Sequence, residues 1–336
     1  MKAQTCSWAV VATLDEPPIL VAAFVAWHLS LGASEMHLYF DRPDDPTADL
    51  VAAIPQVQVT RCDAAFWKTL GKRRPDKHQL RQVLNAGDAF AATQADWLLH
   101  CDGDEFLWPV SSVAASLDRA GAEAHCLITP VAERFYVNDT ADASIFAGSF
   151  RRPFAGNPAM GRALFGRGYA MTQRGLTGHA IGKSFLRRGA KAAPSIHRPK
   201  QKGADVPSEQ AQDLTLLHFD GLTPAHWAFK ILRKADAVAN HGGMPPTRHR
   251  QRQINAVLAA PEDAMAIHDR LKRPDAMAQQ HLADNALLLE PDFVPEATMQ
   301  ALWPDHDFDL SPAHLNSWLH LRRPTLFRQF GLNAGD

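Results

Sequence analysis

Residues 97–106 read WLLHCDGDEF, an apolar run that closes abruptly on three carboxylates, Asp102, Asp104 and Glu105. Like charges gathered at the mouth of a buried strand raise one another's pKa and resist burial unless something positive sits among them. Two aspartates one residue apart on a tight turn can share a hard divalent cation, and Gly103 between them leaves room for a bulky ligand at the backbone. Mg²⁺ or Mn²⁺ takes oxygen ligands, usually one or two carboxylates together with substrate phosphates and water. A cation bridged to a diphosphate would account for the cluster. An EF-hand loop would not, because it needs further oxygen ligands at alternating positions and a Glu at the twelfth. Here Phe106 and Leu107 follow at once. No GxxxxGK[ST] phosphate loop occurs.

Such residues need a scaffold that brings strand ends together. Trp8–Leu14 reads as a buried parallel strand. Pro17-Pro18 opens a helix with Leu20, Phe24, Trp27, His28 and Leu31 at helical spacing, stopped by Gly32. Met36–Phe40 is a second strand, ended by the turn cluster DRPDD, and VQVT at 57–60 a third. A helix from about Lys77 to Thr93 leads into the strand Trp97–His100. The alternation predicts βαβ units around a parallel sheet. Ligands of such sheets sit beyond the carboxyl ends of the strands. Three of those ends bear acids: Asp15-Glu16, Asp41 and Asp102-Gly103-Asp104. Cys126–Pro130 is a further strand, and residues 140–210 read as loops with short strands. Leu214–Phe219 is strand-like, Thr223 caps a helix opening at Pro224, and from about Pro245 the chain is helical and polar without a chemical motif. His28, on an apolar helix face, reads as a hydrogen-bonded core histidine.

The chain's 336 residues suffice for a large α/β core. A net charge of −1 gives no global pull toward nucleic acid. From Ala143 to Ala204, however, there is no Asp or Glu, against twelve Lys and Arg with His179 and His197. That run suggests a face turned toward phosphates or an anionic partner, the plain alternative being a solvated basic surface. The four cysteines are widely spaced and read as buried thiols of a reducing compartment. The most apolar stretch, Ile19–Leu31, is thirteen residues and interrupted by His28, short of the roughly 20 that a membrane span needs. No signal peptide is evident. The expectation is a cytoplasmic protein, with peripheral membrane contact left open.

WLLHCDGDEFLWP resembles the segment of GT-A glycosyltransferases in which a strand ends in D-x-D-E-F, in particular bacterial family 2-like enzymes related to family 92. TLDEPPILVAAFVAWHLSLGASEMHLYFDRPDDPT is similar to that family's opening, with His28, Gly32, Tyr39, Asp41 and Asp45 on its pattern, although Thr13-Leu14-Asp15-Glu16 lacks the usual Lys-Asn. QLRQVLNAGDAFAATQADW resembles a helix whose Asn, here Asn85, lies near the nucleotide. GKSFLRR, SIHRP and LTLLHFDGLTPAHWAFK resemble downstream elements, so the likeness covers residues 8–235.

The resemblance implies a GT-A fold, α/β and Rossmann-like, with a mostly parallel central sheet flanked by helices and a helical C-terminal extension. Residues 1–125 would form the nucleotide-sugar-binding core, 126–240 its acceptor side and 245–336 the helical region. It implies transfer of a sugar from a nucleotide-diphosphate donor, a UDP-sugar, to a hydroxyl of a carbohydrate or glycolipid acceptor, with Mn²⁺ or Mg²⁺ and with inversion. The metal would lie on Asp102 and Asp104, joined by His218. Thr13, Asp15, Glu16, Asp41, Asn85, Asp102, Gly103 and Lys183 would contact the donor, with Arg187 and Arg188 beside Lys183. Glu133 or Asp220 would act as the base that an inverting transfer needs. A nucleotidyltransferase built on the same aspartates, or a non-enzymatic binder of anionic ligands, are the competing readings.

Overall fold

All seven residues of the strand Trp8–Leu14 are buried, as expected of an apolar, valine-rich strand with a neighbour on either side. The computed structural model describes residues 5–136, 144–240 and 243–325. The chain divides into two units, one of residues 1–130, 181–216 and 294–306, the other of residues 131–180, 217–293 and 307–336.

The first unit is built on a seven-stranded sheet, in the order Ser208–Gln210, Cys126–Thr129, Lys183–Arg187, Trp97–His100, Trp8–Leu14, Glu35–Phe40 and Val57–Arg61. The last four pair in parallel, and so do the first two. Lys183–Arg187 runs antiparallel to both of its neighbours. The α/β class with a mostly parallel central sheet flanked by helices is therefore what the chain adopts. Trp8–Leu14 has Glu35–Phe40 on one side and Trp97–His100 on the other. The winding reverses there, which is where open α/β sheets hold ligands.

The helix Pro18–Ser30 buries every residue from Ile19 to His28, so it is apolar all round, as a helix enclosed by its unit should be. His28 is a core histidine, as its position on that face suggests. Its Nδ1 donates to Phe24 O at 2.8 Å, and its Nε2 accepts from Leu107 N at 3.4 Å. Burial pushes its pKa down to about 4, which keeps the ring neutral. Trp27 Nε1 donates to Leu107 O at 2.6 Å.

In the second unit, Leu288–Leu289, Ser149–Arg151 and Val131–Phe135 form an antiparallel set. Among its described helices are Pro224–Asn240, Arg248–Ala259, Ala264–Lys272, Ala276–Asp284 and Pro312–Arg322. Thr223 caps the first of them, its Oγ1 accepting from His226 N at 3.0 Å. Residues 326–336 of the expected helical C-terminal region lie outside the described residues. The stretch expected to be loops and short strands also contains a helix, Pro158–Phe165, whose cap Asn157 accepts from Met160 N and whose first position is a proline. No helix among the described residues is long and apolar enough to cross a membrane.

Candidate functional site

The carboxylates at the end of Trp97–His100 are held by a hydrogen-bonded turn. Asp102 N donates to Glu105 Oε2 at 2.7 Å, and Glu105 N to Asp102 O at 3.1 Å. Glu105 and Asp104 are buried, while the Asp102 side chain keeps 31% of its surface. Gln82, from the helix His78–Ala92, donates to Asp102 Oδ1 at 2.6 Å. The fold supplies a positive partner for this cluster: Lys183 Nζ lies 2.8 Å from Asp102 Oδ2 and 3.2 Å from Glu105 Oε2, its side chain fully buried. Burial pulls the Lys183 pKa down, but Asp102 and Glu105 outweigh it and hold the ammonium above its ordinary value. Gly103 has a packing reason as well. A Cβ there would sit 2.9 Å from Leu14 Cδ2 and 3.0 Å from Glu16 Cγ, so the turn lies tight against the end of the first strand.

The other residues expected at the donor are placed at the neighbouring strand ends. Thr13 accepts at Oγ1 from Asn85 Nδ2 at 2.9 Å, and both residues are buried. Asn85 Oδ1 has no hydrogen-bond partner among the described residues. Asp15 and Glu16 are half-buried just past Leu14. Asp41 is committed elsewhere: Arg81 grips both of its oxygens at 2.6 and 2.7 Å, and Arg74 adds a bond at 2.9 Å. Burial raises the Asp41 pKa, and the hydrogen bonds and charges of His78 and Arg81 more than reverse that, leaving it well below the carboxylate range. His100, which no sequence motif singled out, donates from Nδ1 to Ser195 O at 2.8 Å. That leaves a neutral Nε2 lone pair without a hydrogen-bond partner among the described residues.

Glu133 and Asp220 belong to the second unit, where they are the anions of a buried ionic network. Glu133 accepts from Thr177 N at 2.7 Å, Gly178 N at 2.6 Å and Lys272 Nζ at 3.0 Å, with Arg151 Nη2 3.5 Å away. Arg250 Nη2 lies 3.0 Å from both oxygens of Asp220, and Lys230 Nζ is 3.6 Å from one. The Thr177 hydroxyl lies within reach of both carboxylates, 2.9 Å from Glu133 Oε1 and 2.8 Å from Asp220 Oδ2. Burial pushes both pKa values up, but Lys272 acting on Glu133 and Arg250 acting on Asp220 outweigh it. The Glu133 carboxyl falls to about 2, and Asp220 lies well below its usual range. Carboxylates so stabilised as anions are weak proton acceptors, since an efficient base titrates near the working pH. His218 stacks on His179 with centroids 4.9 Å apart, its Nδ1 3.9 Å from Glu133 Oε2. Gly178 permits that approach, since a Cβ there would lie 2.4 Å from His218 Cε1.

The acid-free segment spends part of its charge internally. Lys183 and Arg151 are buried in ion pairs. Arg187 donates to Ala124 O at 2.9 Å and Gly121 O at 2.9 Å and stacks over Trp97. Arg174 Nε donates to Phe154 O. Arg152, Arg162, Arg174, Arg188, Lys191, Arg198, Lys200 and Lys202 remain exposed, so most of the described basic residues of the segment do face solvent. The region from Pro245 onward, without a chemical motif in sequence, supplies Arg250 and Lys272 to the network. The signal was there: Lys272 lies on the buried stripe of Ala264, Ile267, His268 and Leu271, where an unpaired lysine would be costly.

No protein-family model matches the chain, and no curated protein matches it. Among solved structures it is similar to S. aureus TarS 1-349, at 10% identity and a TM-score of 0.34 over 96% of this chain and 89% of that one. A 4-diphosphocytidyl-2C-methyl-D-erythritol synthase matches at 15% identity and a TM-score of 0.29 over 56% and 77%. HddC from Yersinia pseudotuberculosis matches at 10% and 0.27 over 40% and 66%, so the chain spans just under two thirds of HddC. At these values the likenesses assign neither a family nor a reaction.

Proposed function

We propose that the chain is a metal-dependent glycosyltransferase of GT-A type that moves a sugar from a UDP-sugar to an acceptor hydroxyl. The observation that carries this reading is the carboxylate turn Asp102-Gly103-Asp104, set at the carboxyl end of a central parallel strand where the winding of the sheet reverses. The donor set fits a hard divalent cation. It offers carboxylate oxygens alone, three carboxylates in four residues, two of them bridged by a single ammonium. Asp102 and Asp104 would hold Mn²⁺ or Mg²⁺. When bound, the ion neutralises the donor diphosphate and the charge that develops on the departing nucleotide.

The chain's own residues supply the rest. Gln82 and Lys183 fix the Asp102 carboxylate, and Thr13, Asn85, Asp15 and Glu16 line the strand ends assigned to the nucleoside. Asp41, gripped by Arg81, orders that edge and presents Arg74, half-exposed, beside it. Glu133 and Asp220 act as anchors of the second unit. The test is calorimetric titration of UDP with and without Mn²⁺. Binding should require the ion and vanish in Asp104→Asn, whereas binding indifferent to EDTA would refute the metal dependence. The nucleotidyltransferase reading fits the same acids, and products separate the two. Release of UDP from a UDP-sugar marks glycosyl transfer; release of pyrophosphate from a nucleoside triphosphate marks nucleotidyl transfer.

A further inference from the structure

Lys183 reaches the acid cluster from a strand antiparallel to the one that bears it. Its backbone has no freedom to withdraw. At Gly182, just before it, a Cβ would lie 1.7 Å from Thr129 O. Thr129 pairs with Lys183 in the sheet, and Ser184 Oγ, just after it, donates to His197 O at 2.6 Å. Whatever movement the residue has is confined to its four-carbon stem. At the end of that stem the ammonium bridges Asp102 Oδ2 and Glu105 Oε2 at 2.8 and 3.2 Å, with no solvent exposure of the side chain. An oxygen that accepts from an ammonium has spent one of its lone-pair directions. A unit positive charge at that distance also opposes the arrival of a second cation.

We propose that Lys183 is the resident cation of this cluster, and that a divalent ion binds by taking Asp102 over from its ammonium. Lys183 holds Asp102 and Glu105 in place while no divalent ion is bound, and it sets the affinity with which one enters. This role rests on the metal-dependent reading above and deepens it. It makes Lys183 a positioning residue that competes with the metal.

The test titrates Mn²⁺ alone, following the free-ion signal by electron paramagnetic resonance, into wild type, Lys183→Met and Lys183→Arg. Lys183→Met should bind Mn²⁺ on the order of tenfold or more tightly than wild type, because the competing charge is gone. It should also melt lower without the ion and gain more than wild type from a fixed Mn²⁺ concentration. Lys183→Arg keeps a cation and should bind no tighter than wild type. A measurement on wild type covers the case in which the Met variant does not fold: Mn²⁺ should increase reductive methylation of Lys183, read by mass spectrometry, as its ammonium leaves the ion pair. Equal Mn²⁺ affinity in wild type and Lys183→Met, or methylation unmoved by Mn²⁺ in a protein that binds it, overturns the exchange and leaves the metal site standing. No Mn²⁺ binding by any of the three proteins overturns the metal-dependent reading itself.

Discussion

Replacing Lys272 by Met keeps an unbranched apolar stem and removes the ammonium that donates to Glu133 Oε1 at 3.0 Å and to Arg134 O at 3.1 Å. Lysine and glutamate are both buried. Breaking a buried pair from one side costs about 3–5 kcal/mol, because the other charge is left without compensation. Glu133 would retain the Thr177 N–H and hydroxyl and the Gly178 N–H, with Arg151 3.5 Å away. Those donors put the loss at the lower end, about 3 kcal/mol. Acid should expose the same interaction. Folding takes the Glu133 pKa from 4.5 to about 2, Lys272 outweighing burial. With the folded value depressed, the carboxylate's contribution is complete above the unfolded value and fades as the pH falls through the folded one. Without Lys272 the folded value moves back toward the unfolded one, so Lys272→Met loses less stability than wild type below about pH 4.5, and the gap between the two should narrow in acid. Urea unfolding followed by tryptophan fluorescence at pH 7 and pH 4, for both single variants and the Glu133→Gln/Lys272→Met pair, measures this. The pair should recover much of the loss, since it buries neither charge. A loss under about 1 kcal/mol for Lys272→Met, or strict additivity in the cycle, would refute the reasoning.

Three other substitutions probe the frame around the two clusters. Gly182→Ala places a Cβ 1.7 Å from Thr129 O, a backbone atom that cannot turn aside, and should cost well over about 1 kcal/mol by strand displacement; unfolding at the wild-type urea midpoint would count against it. Thr223→Ala removes the cap of the helix Pro224–Asn240 and should cost about 1 kcal/mol, read from the same transition. Asp41→Asn loosens the Arg81 and Arg74 grips and should destabilise by about 2 kcal/mol at pH 7. Because folding lowers the Asp41 pKa, the gap between wild type and Asp41→Asn should close as the pH falls toward the folded value, and a pH-independent gap would contradict the ion-pair origin.

Central strands could be read from sequence because burial on both faces leaves an uninterrupted apolar run: WAVVATL and WLLH stand in the fold where composition puts them. The helices Thr47–Ala52, Ala64–Thr69 and Val113–Asp118 escaped, since six residues do not complete two turns and so show no period of 3.6. Their caps were the available signal, Asp63 accepting from Phe66 N and Ser112 from Ala115 N. KSFLR, which forms a strand, lies in a stretch that the sequence marks only as loops with short strands. Nothing local says that it inserts antiparallel between Trp97–His100 and Cys126–Thr129, because strand pairing is settled by contacts far apart in the chain.

The same division runs through the charged residues. Three carboxylates after an apolar run announce a cation, since like charges so close in sequence repel one another, and the more so the less water surrounds them. Which cation answers them is non-local. Lys183 lies 81 positions from Asp102, and Lys272 lies 139 from Glu133. A pairing rule narrows the search even so. An ionisable residue on an apolar stripe is stable only if paired, so Glu133 within a fully buried strand and Lys272 on a buried helix stripe are each half of an interaction. Counting such halves of opposite sign along one sequence limits the partners to a few. The fold then selects among them, and here it gives Lys183 to the strand-end acids and Lys272 to Glu133.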